Sequence, residues 1–421
     1  MSDKFCPMPF GSMHVDPDGN ILVCCSDSGK LMDTSGRRYN VNTHSLEEAW
    51  NSEYYKNLRT KFLQGEQPDS CHLCWKSEIS GESVSTRISS LERFRIFREQ
   101  GLDFNSSINQ ARDNQGQVDN LPVDFQVMSG NLCNLACKMC FPKYSNTWSK
   151  FYTNKEIKVE DIKFHSKMAN PEDVYMGFGE SYDWPKTVTM TKIFSKLKDN
   201  IYHINLTGGE PTLLDENIEF LEFLKTSQNI QNLEVQIITN TTNINNRLLD
   251  CVKSFNKVVL TSSMDGMDEI AYIQRTPSNW AQVYKNYCKI QEFIKEFPNV
   301  RHCVTTTVTA LNIHHLHTFW DFLVRKCEHN IFPGDINLNV VISQWQSTGL
   351  ELVPRRVIEK IKKQLETTDS IRGLKAYNSM MDYFDSINWS RDDSAMMQLL
   401  DSIQKLHPEL DIKRIYKIYY E

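Results

Sequence analysis

From residue 123 to about residue 342, short apolar runs alternate with longer stretches of helical period. The runs at 123–128, 203–207, 234–239, 258–263, 303–309 and 337–342 have the length and β-branched content of strands. The stretches at 217–225, 280–295 and 315–328 space apolar residues three and four apart, as amphipathic helices do. Strands alternating with helices pair in parallel through right-handed crossovers, which predicts an α/β fold. Six such units are fewer than the eight of a closed barrel. The expectation is therefore a domain of six β/α units over 121–345, (β/α)6, short of a closed barrel, with functional groups at the C-terminal strand ends.

The flanks read differently. Pro17-Asp18-Gly19-Asn20 marks a tight turn between strand-like residues, a hairpin that brings Cys6 and Cys24 close. Ser45-Leu46-Glu47-Glu48 is a capping-box signal. It predicts a helix with Leu46, Trp50, Tyr54, Leu58 and Phe62 on one face and Gly65 as its stop. Residues 1–80 form this first, small α+β unit. Residues 81–120 divide into a helix near 87–100, carrying Leu91, Phe94 and Phe97, and a polar linker at 105–120. The interval 141–200 is long for one crossover and predicts an insertion over the active-site mouth. Residues 346–421 read as a helical extension, one helix opening at Pro354, that caps the barrel bottom or contacts substrate.

Composition narrows the function. The 421 residues carry a net charge of −6, so no global basic field points to nucleic acid. No apolar run approaches a membrane span, and the start of the chain has no signal-peptide character. A soluble, cytoplasmic protein is expected. In a reducing compartment its 12 cysteines are ligands, reactive thiols or core residues. Cys251, Cys288, Cys303 and Cys327 are isolated and read as small core residues.

The chemistry concentrates in Cys133-Asn-Leu-Ala-Cys137-Lys-Met-Cys140, after the first barrel strand. Thiolates select zinc, copper(I) or iron–sulfur clusters. Structural zinc favours four ligands from closely spaced cysteine pairs; three thiols at this spacing suit a cubane with one open iron. Cys6, Cys24, Cys71 and Cys74 make a plausible closed site, for which zinc and a 4Fe–4S cluster are both possible. After the second strand, Gly208-Gly209-Glu210 lets backbone pass close to a ligand beside a carboxylate that can accept from an ammonium. Later strands end at Thr239-Asn240 and at Ser262-Ser263-Met264-Asp265-Gly266, and Arg275 follows. His314, His315 and His317 read as solvent or packing residues.

The cysteine loop and the Gly-Gly-Glu stretch together resemble the radical S-adenosylmethionine (SAM) enzymes. The resemblance implies an open six-unit barrel and a 4Fe–4S cluster on Cys133, Cys137 and Cys140, whose fourth iron chelates SAM. It implies reductive cleavage to a 5′-deoxyadenosyl radical that takes hydrogen from substrate. Gly208, Gly209 and Glu210 then meet the SAM amino group, and Arg275 its carboxylate. Asn240, Ser263 and Asp265 meet the ribose; Met139, where relatives often carry an aromatic residue, and Thr309 meet the adenine.

Residues 1–80 resemble the half-length auxiliary-cluster module called a twitch domain, a shorter form of SPASM, here placed before the barrel. That resemblance implies a second 4Fe–4S cluster on Cys6, Cys24, Cys71 and Cys74, and Gly19-x4-Cys24 selects Cys24 over Cys25. Four thiolates saturate such a cluster and suit it to electron transfer. The expected reaction is an oxidation, either dehydrogenation or cross-linking of a peptide or small molecule. The expected reductant is a flavodoxin or ferredoxin. A non-catalytic iron–sulfur or zinc-stabilised electron-transfer or scaffold protein is the alternative. No residue is singled out as a catalytic acid or base.

Overall fold

The computed structural model describes residues 3–80, 85–154, 179–326, 336–340, 348–372, 374–387 and 389–421. Among them run the strands β1 (Ser12–Val15), β2 (Ile21–Leu22), β3 (Asp124–Met128), β4 (Ala136–Cys137), β5 (His203–Thr207), β6 (Glu234–Thr239), β7 (Lys257–Ser263), β8 (Arg275–Thr276), β9 (Val300–Val308) and β10 (Ile336–Val340). The sheet order is β10-β9-β7-β6-β5-β3-β1-β2. From β3 to β10 every neighbouring pair in this sheet is parallel. This is the expected open barrel of six parallel strands, and each lies within three residues of its sequence-based bounds.

Side-chain alternation gives the sheet two unlike faces. Phe125, Val127, Ile204, Leu206, Val235 and Ile237 are buried in one apolar core with helix Asp215–Leu224. Gln126, Asn205 and Gln236 alternate with them and are half-buried. The inner face of the half-barrel is thus a polar wall.

The first unit is not a separate body. β1 pairs in parallel with β3, His14 opposite Gln126, and extends the barrel sheet. The hairpin forms as expected, with β1 and β2 antiparallel and Gly19 at φ +81° in the turn. The capping box is present, but the single expected helix is two, Leu46–Trp50 and Glu53–Leu63. Ser52 caps the second helix, and the break turns Tyr55 rather than Tyr54 into the core. Arg59 ties the unit together, donating to the carbonyls of Pro9 at 2.7 Å, Trp50 at 2.8 Å and Gly116 at 3.0 Å.

The expected linker at 105–120 is largely a helix, Phe104–Asp113. Asp103 caps it, and Phe104, Ile108 and Ala111 are buried on one face beneath helix Thr86–Glu99. In the 141–200 interval, helix Asn146–Asn154 and the short helices Trp184–Thr187 and Met190–Ile193 are described. Residues 155–178, which include Met176, lie outside the described residues. Trp184 Nε1 donates to the carbonyl of Met128 at 3.0 Å, which docks this segment on the C-terminal end of β3.

Helices Arg355–Glu366, Lys375–Ser386 and Ser394–Leu406 follow, with Pro354 at the cap of the first rather than inside its first turn. Tyr419, in the last helical turn of the extension, donates from its hydroxyl to the carbonyl of Ala310 at 2.8 Å, just past the C-terminal end of β9. Cys251 and Cys303 are buried and Cys288 half-buried, as expected of core residues; Cys327 lies outside the described residues. No described helix is long and apolar enough to cross a membrane.

Candidate active site

The three-cysteine loop leaves β3 and is fixed from two sides. Its β4 segment pairs antiparallel with β8, Cys137 opposite Arg275. From the following segment, Ser145 Oγ donates to the carbonyl of Leu135 at 2.6 Å, Thr147 Oγ1 to that of Cys133 at 2.5 Å and Trp148 Nε1 to that of Cys137 at 3.1 Å. Donors on the carbonyls hold the backbone that aims the thiols.

The Gly-Gly-Glu stretch leaves β5 alongside. Gly208 and Gly209 have φ of +76° and +49°. A Cβ on Gly208 would sit 2.4 Å from Met128 Cβ, and one on Gly209 2.5 Å from the carbonyl oxygen of Leu132. Both glycines are needed, for conformation and for space. One cavity of about 270 Å³ is lined by Cys133, Cys137, Met139, Cys140, Gly208, Gly209, Glu210, Asn240, Ser263 and Arg275. These are residues singled out from sequence. Tyr144 lines it too and was not anticipated.

The carboxylate of Glu210 is already engaged. Oε1 accepts from Thr212 N at 3.1 Å, Thr212 Oγ1 at 2.7 Å and Thr239 Oγ1 at 2.7 Å; Oε2 accepts from Asn240 N at 2.6 Å. Burial raises its pKa against these hydrogen bonds. Asn240 Nδ2 donates to Asn134 Oδ1 at 2.9 Å and lies 3.9 Å from Cys133 Sγ. Two expected contacts do not reach the cavity wall. Asp265 sits behind it, its Oδ1 accepting from Thr307 N at 2.8 Å and its Oδ2 ion-paired with Arg275 Nε at 2.6 Å. Thr309 is enclosed, its hydroxyl accepting from Gln274 Nε2 at 2.6 Å.

Burial first, and then Cys137, pushes the Cys133 thiol up to about 12. Burial raises Cys137 as well, against the lowering effect of Arg275. Such thiols lose their protons when a metal takes them. In the first unit Cys6 and Cys74 are buried, Cys24 and Cys71 half-buried and Cys25 exposed. Burial and then the charges of Cys71 and Cys74 raise Cys6; burial and then Asp27 push Cys71 up to about 12. Among the described residues no His, Cys, Asp or Glu group has the spacing of a single metal ion. A multi-iron cluster holds its ligands farther apart than one ion does, and the cavity over Cys133, Cys137 and Cys140 leaves room for one.

A second cavity opens on the polar face of β1, β3 and β5, where His14, Cys24, Cys25, Gln126 and Asn205 line it. His14 is 2% exposed. Its Nε2 lies 3.4 Å from Asp16 Oδ1, and its Nδ1 has no partner among the described residues. Asp16 in turn is bonded by Lys143, three residues past Cys140. His14-x-Asp16 was missed from sequence; the two-residue spacing at the end of β1 was its only signal.

The comparisons agree with this geometry. The radical SAM superfamily model matches residues 127–323, and the SPASM iron–sulfur cluster-binding domain model matches residues 6–75. The chain thus carries a radical SAM domain and, ahead of it, a SPASM-type domain. These domains imply a 4Fe–4S cluster, SAM and auxiliary iron–sulfur binding. No curated protein matches.

Solved structures that resemble the chain include native anSMEcpe with bound AdoMet and Cp18Cys peptide, at 19% identity over 53% of this chain and 52% of that one, TM-score 0.32. Another is Streptococcus suis SuiB bound to precursor peptide SuiA, at 13% identity over 79% and 70%, TM-score 0.38. A third is TYW1 with a lysine-pyruvate adduct, at 16% over 58% and 73%, TM-score 0.30. The match spans about half the length of the anSMEcpe chains.

Proposed function

We propose that this protein is a radical SAM oxidoreductase that removes two electrons from a polar substrate, a peptide or a small molecule, held in the half-barrel. The observation that carries this reading is the single cavity uniting Cys133, Cys137 and Cys140 with the Gly208-Gly209 turn. In this reading the three cysteines would hold the SAM-binding 4Fe–4S cluster, which, reduced and with SAM bound, would supply the 5′-deoxyadenosyl radical. The glycines admit the methionine end of SAM, with Glu210 fixing their turn. Met139, Asn240 and Ser263 line the rest of the nucleoside's space, and Arg275 faces it from β8. Asp265 and Thr309 act from behind, through Arg275 and Gln274.

Cys6, Cys24, Cys71 and Cys74 would hold the auxiliary cluster, in the short twitch form of the module, and would thereby supply an acceptor for the electron that substrate gives up. The corresponding division of the chain is 1–80 for the auxiliary unit, 81–120 for the connecting helices, 121–345 for the barrel and 346–421 for the extension. The polar wall supports the choice of substrate. Among the described residues Asn205 Oδ1 and His14 Nδ1 are buried there without partners, so the lumen suits a substrate that donates N–H or O–H groups. With Asp16 holding Nε2–H, His14 presents a lone pair on Nδ1 and takes the proton that leaves as substrate is oxidised. A flavodoxin or ferredoxin supplies the first electron.

Anaerobic reconstitution followed by dithionite and SAM tests the reading. Deoxyadenosine is expected from the wild type and not from Cys133→Ala, and a treated cell extract should gain species lighter by two hydrogens. Zinc without iron at residues 133–140, or no deoxyadenosine, overturns it.

A further inference from the structure

Arg275 and Cys137 stand directly opposite each other where β4 and β8 pair, which sets their side chains on one side of the ribbon. Arg275 Nη1 donates toward Cys137 Sγ at 3.8 Å. The guanidinium cannot move far, because Nε is ion-paired with Asp265 Oδ2 at 2.6 Å and Asp265 is completely buried. Asp265 is anchored in turn: its Oδ1 accepts from Thr307 N at 2.8 Å, and its carbonyl accepts from Asn312 Nδ2 at 2.9 Å. A carboxylate on β7's end thus holds a cation against one thiol of the three-cysteine loop. Ligand hydrogen bonds and nearby charge set the potential of a sulfur-ligated cluster. A donor and a positive charge at the sulfur stabilise the reduced form, which carries one more negative charge.

We propose that Arg275 is a positioning residue that raises the potential of the cluster on Cys133, Cys137 and Cys140, with Asp265 as its anchor and partial counter-charge. This inference rests on the function proposed above. It gives the Asp265–Arg275 pair a purpose separate from contact with the SAM carboxylate. The sign is fixed by charge. Losing the cation makes reduction harder; neutralising Asp265 while Arg275 remains makes it easier.

The test is an EPR-monitored redox titration of the reconstituted protein with Cys24→Ala and Cys71→Ala in the background, so that one cluster is read. In Arg275→Met the ratio of reduced to oxidised cluster at a fixed potential should fall about tenfold, a midpoint lowered by about 59 mV for one electron. Arg275→Lys should lie between, and Asp265→Asn should shift the opposite way. SAM affinity, measured by equilibrium dialysis on the same samples, should change less than the ratio. An unchanged midpoint in a fully iron-loaded Arg275→Met, a shift of the same sign in Asp265→Asn, or a tenfold loss of SAM affinity without a midpoint shift overturns the proposal. If Arg275→Met does not load iron, the lysine and Asp265→Asn variants decide by their signs. A background protein that binds no iron at the three cysteines instead overturns the functional reading beneath it.

Discussion

The main-chain N–H of Glu210 donates to the carbonyl of Leu132 at 2.7 Å, fastening the Gly-Gly turn after β5 to the cysteine loop after β3. Gly209 lies at the same point, and a Cβ there would press on that carbonyl at 2.5 Å. Its φ of +49° adds roughly 1–2 kcal/mol for an alanine. Gly209→Ala should therefore part the two loops: iron loading persists while SAM affinity falls about tenfold or more, a loss worth about 1.4 kcal/mol. Dialysis with labelled SAM checks it; undiminished affinity would mean that the turn does not face the cofactor.

Glu210 binds four protein donors, so its removal strikes stability as well as ligand binding. Glu210→Ala leaves the Thr212 and Asn240 N–H groups buried without acceptors, each at a cost of about 1–3 kcal/mol. Thermal unfolding of the iron-loaded variant should drop by several degrees, and Glu210→Gln should recover part of the loss. Equal melting temperatures for wild type and Glu210→Ala would contradict the network.

The two adjacent thiols of the first unit should behave differently. Cys24 is half-buried and packs against the core, whereas Cys25 is exposed and lies 4.0 Å from Thr86 Oγ1. Cys24→Ser should lose the auxiliary cluster and Cys25→Ser should keep it, as read by iron content and absorption. Burial raises Cys24, Cys71 and Cys6; if these thiols are the ligands they must shed protons to bind iron, and loading should be faster at pH 8.5 than at 6.5. Loading independent of pH would argue that the thiols are not the ligands.

Much of this was legible because it was local. The strand at 203–207 and the strand at 234–239 have the bounds expected from pattern alone, since β-branched runs between turn residues declare themselves. The three-cysteine loop and the Gly-Gly-Glu stretch carried their chemistry within a few residues. What escaped was non-local or masked by polar composition. Nothing in residues 12–15 announces a parallel partner at 124–127. The helix Phe104–Asp113 hid behind its Asn, Gln and Ser residues, although Phe104, Ile108 and Ala111 stand at helical spacing. Asp265 and Thr309 were legible as strand-end residues, but whether they face a cavity or a neighbour depends on Arg275 and Gln274, which arrive from another segment.

His14 makes the reaction's proton balance testable. Positioned bases contribute roughly 10²- to 10⁴-fold. With the substrate in hand, His14→Gln should lower oxidised product by about that factor, while SAM cleavage to deoxyadenosine continues. Asp16→Asn should do the same more weakly, because Asp16 only orients the ring. Product and deoxyadenosine falling together in His14→Gln would instead give His14 a structural role.

Acid sensitivity should be set at the other end of the polar face. Asp124 is buried, accepting from His203 Nδ1 at 2.6 Å and Ser12 Oγ at 2.7 Å, with Arg93 at 3.4 Å. Burial opposes its charge, but Arg93, His203 and Ser12 outweigh burial and hold its pKa below the ordinary carboxylate value. A depressed folded pKa contributes stability in full above the unfolded value of about 3.9, and that contribution is lost as pH falls from there toward the folded value. The residue joins β1, β3 and β5, so its protonation should loosen the first unit from the barrel. Asp124→Asn should be less stable at pH 7, because the bonds from His203 and Ser12 and the Arg93 pair lose their charged acceptor. Between pH 5 and 3 its denaturation midpoint should fall less steeply than that of the wild type. Parallel slopes for the two proteins in urea titrations followed by circular dichroism would place the acid-labile contact elsewhere.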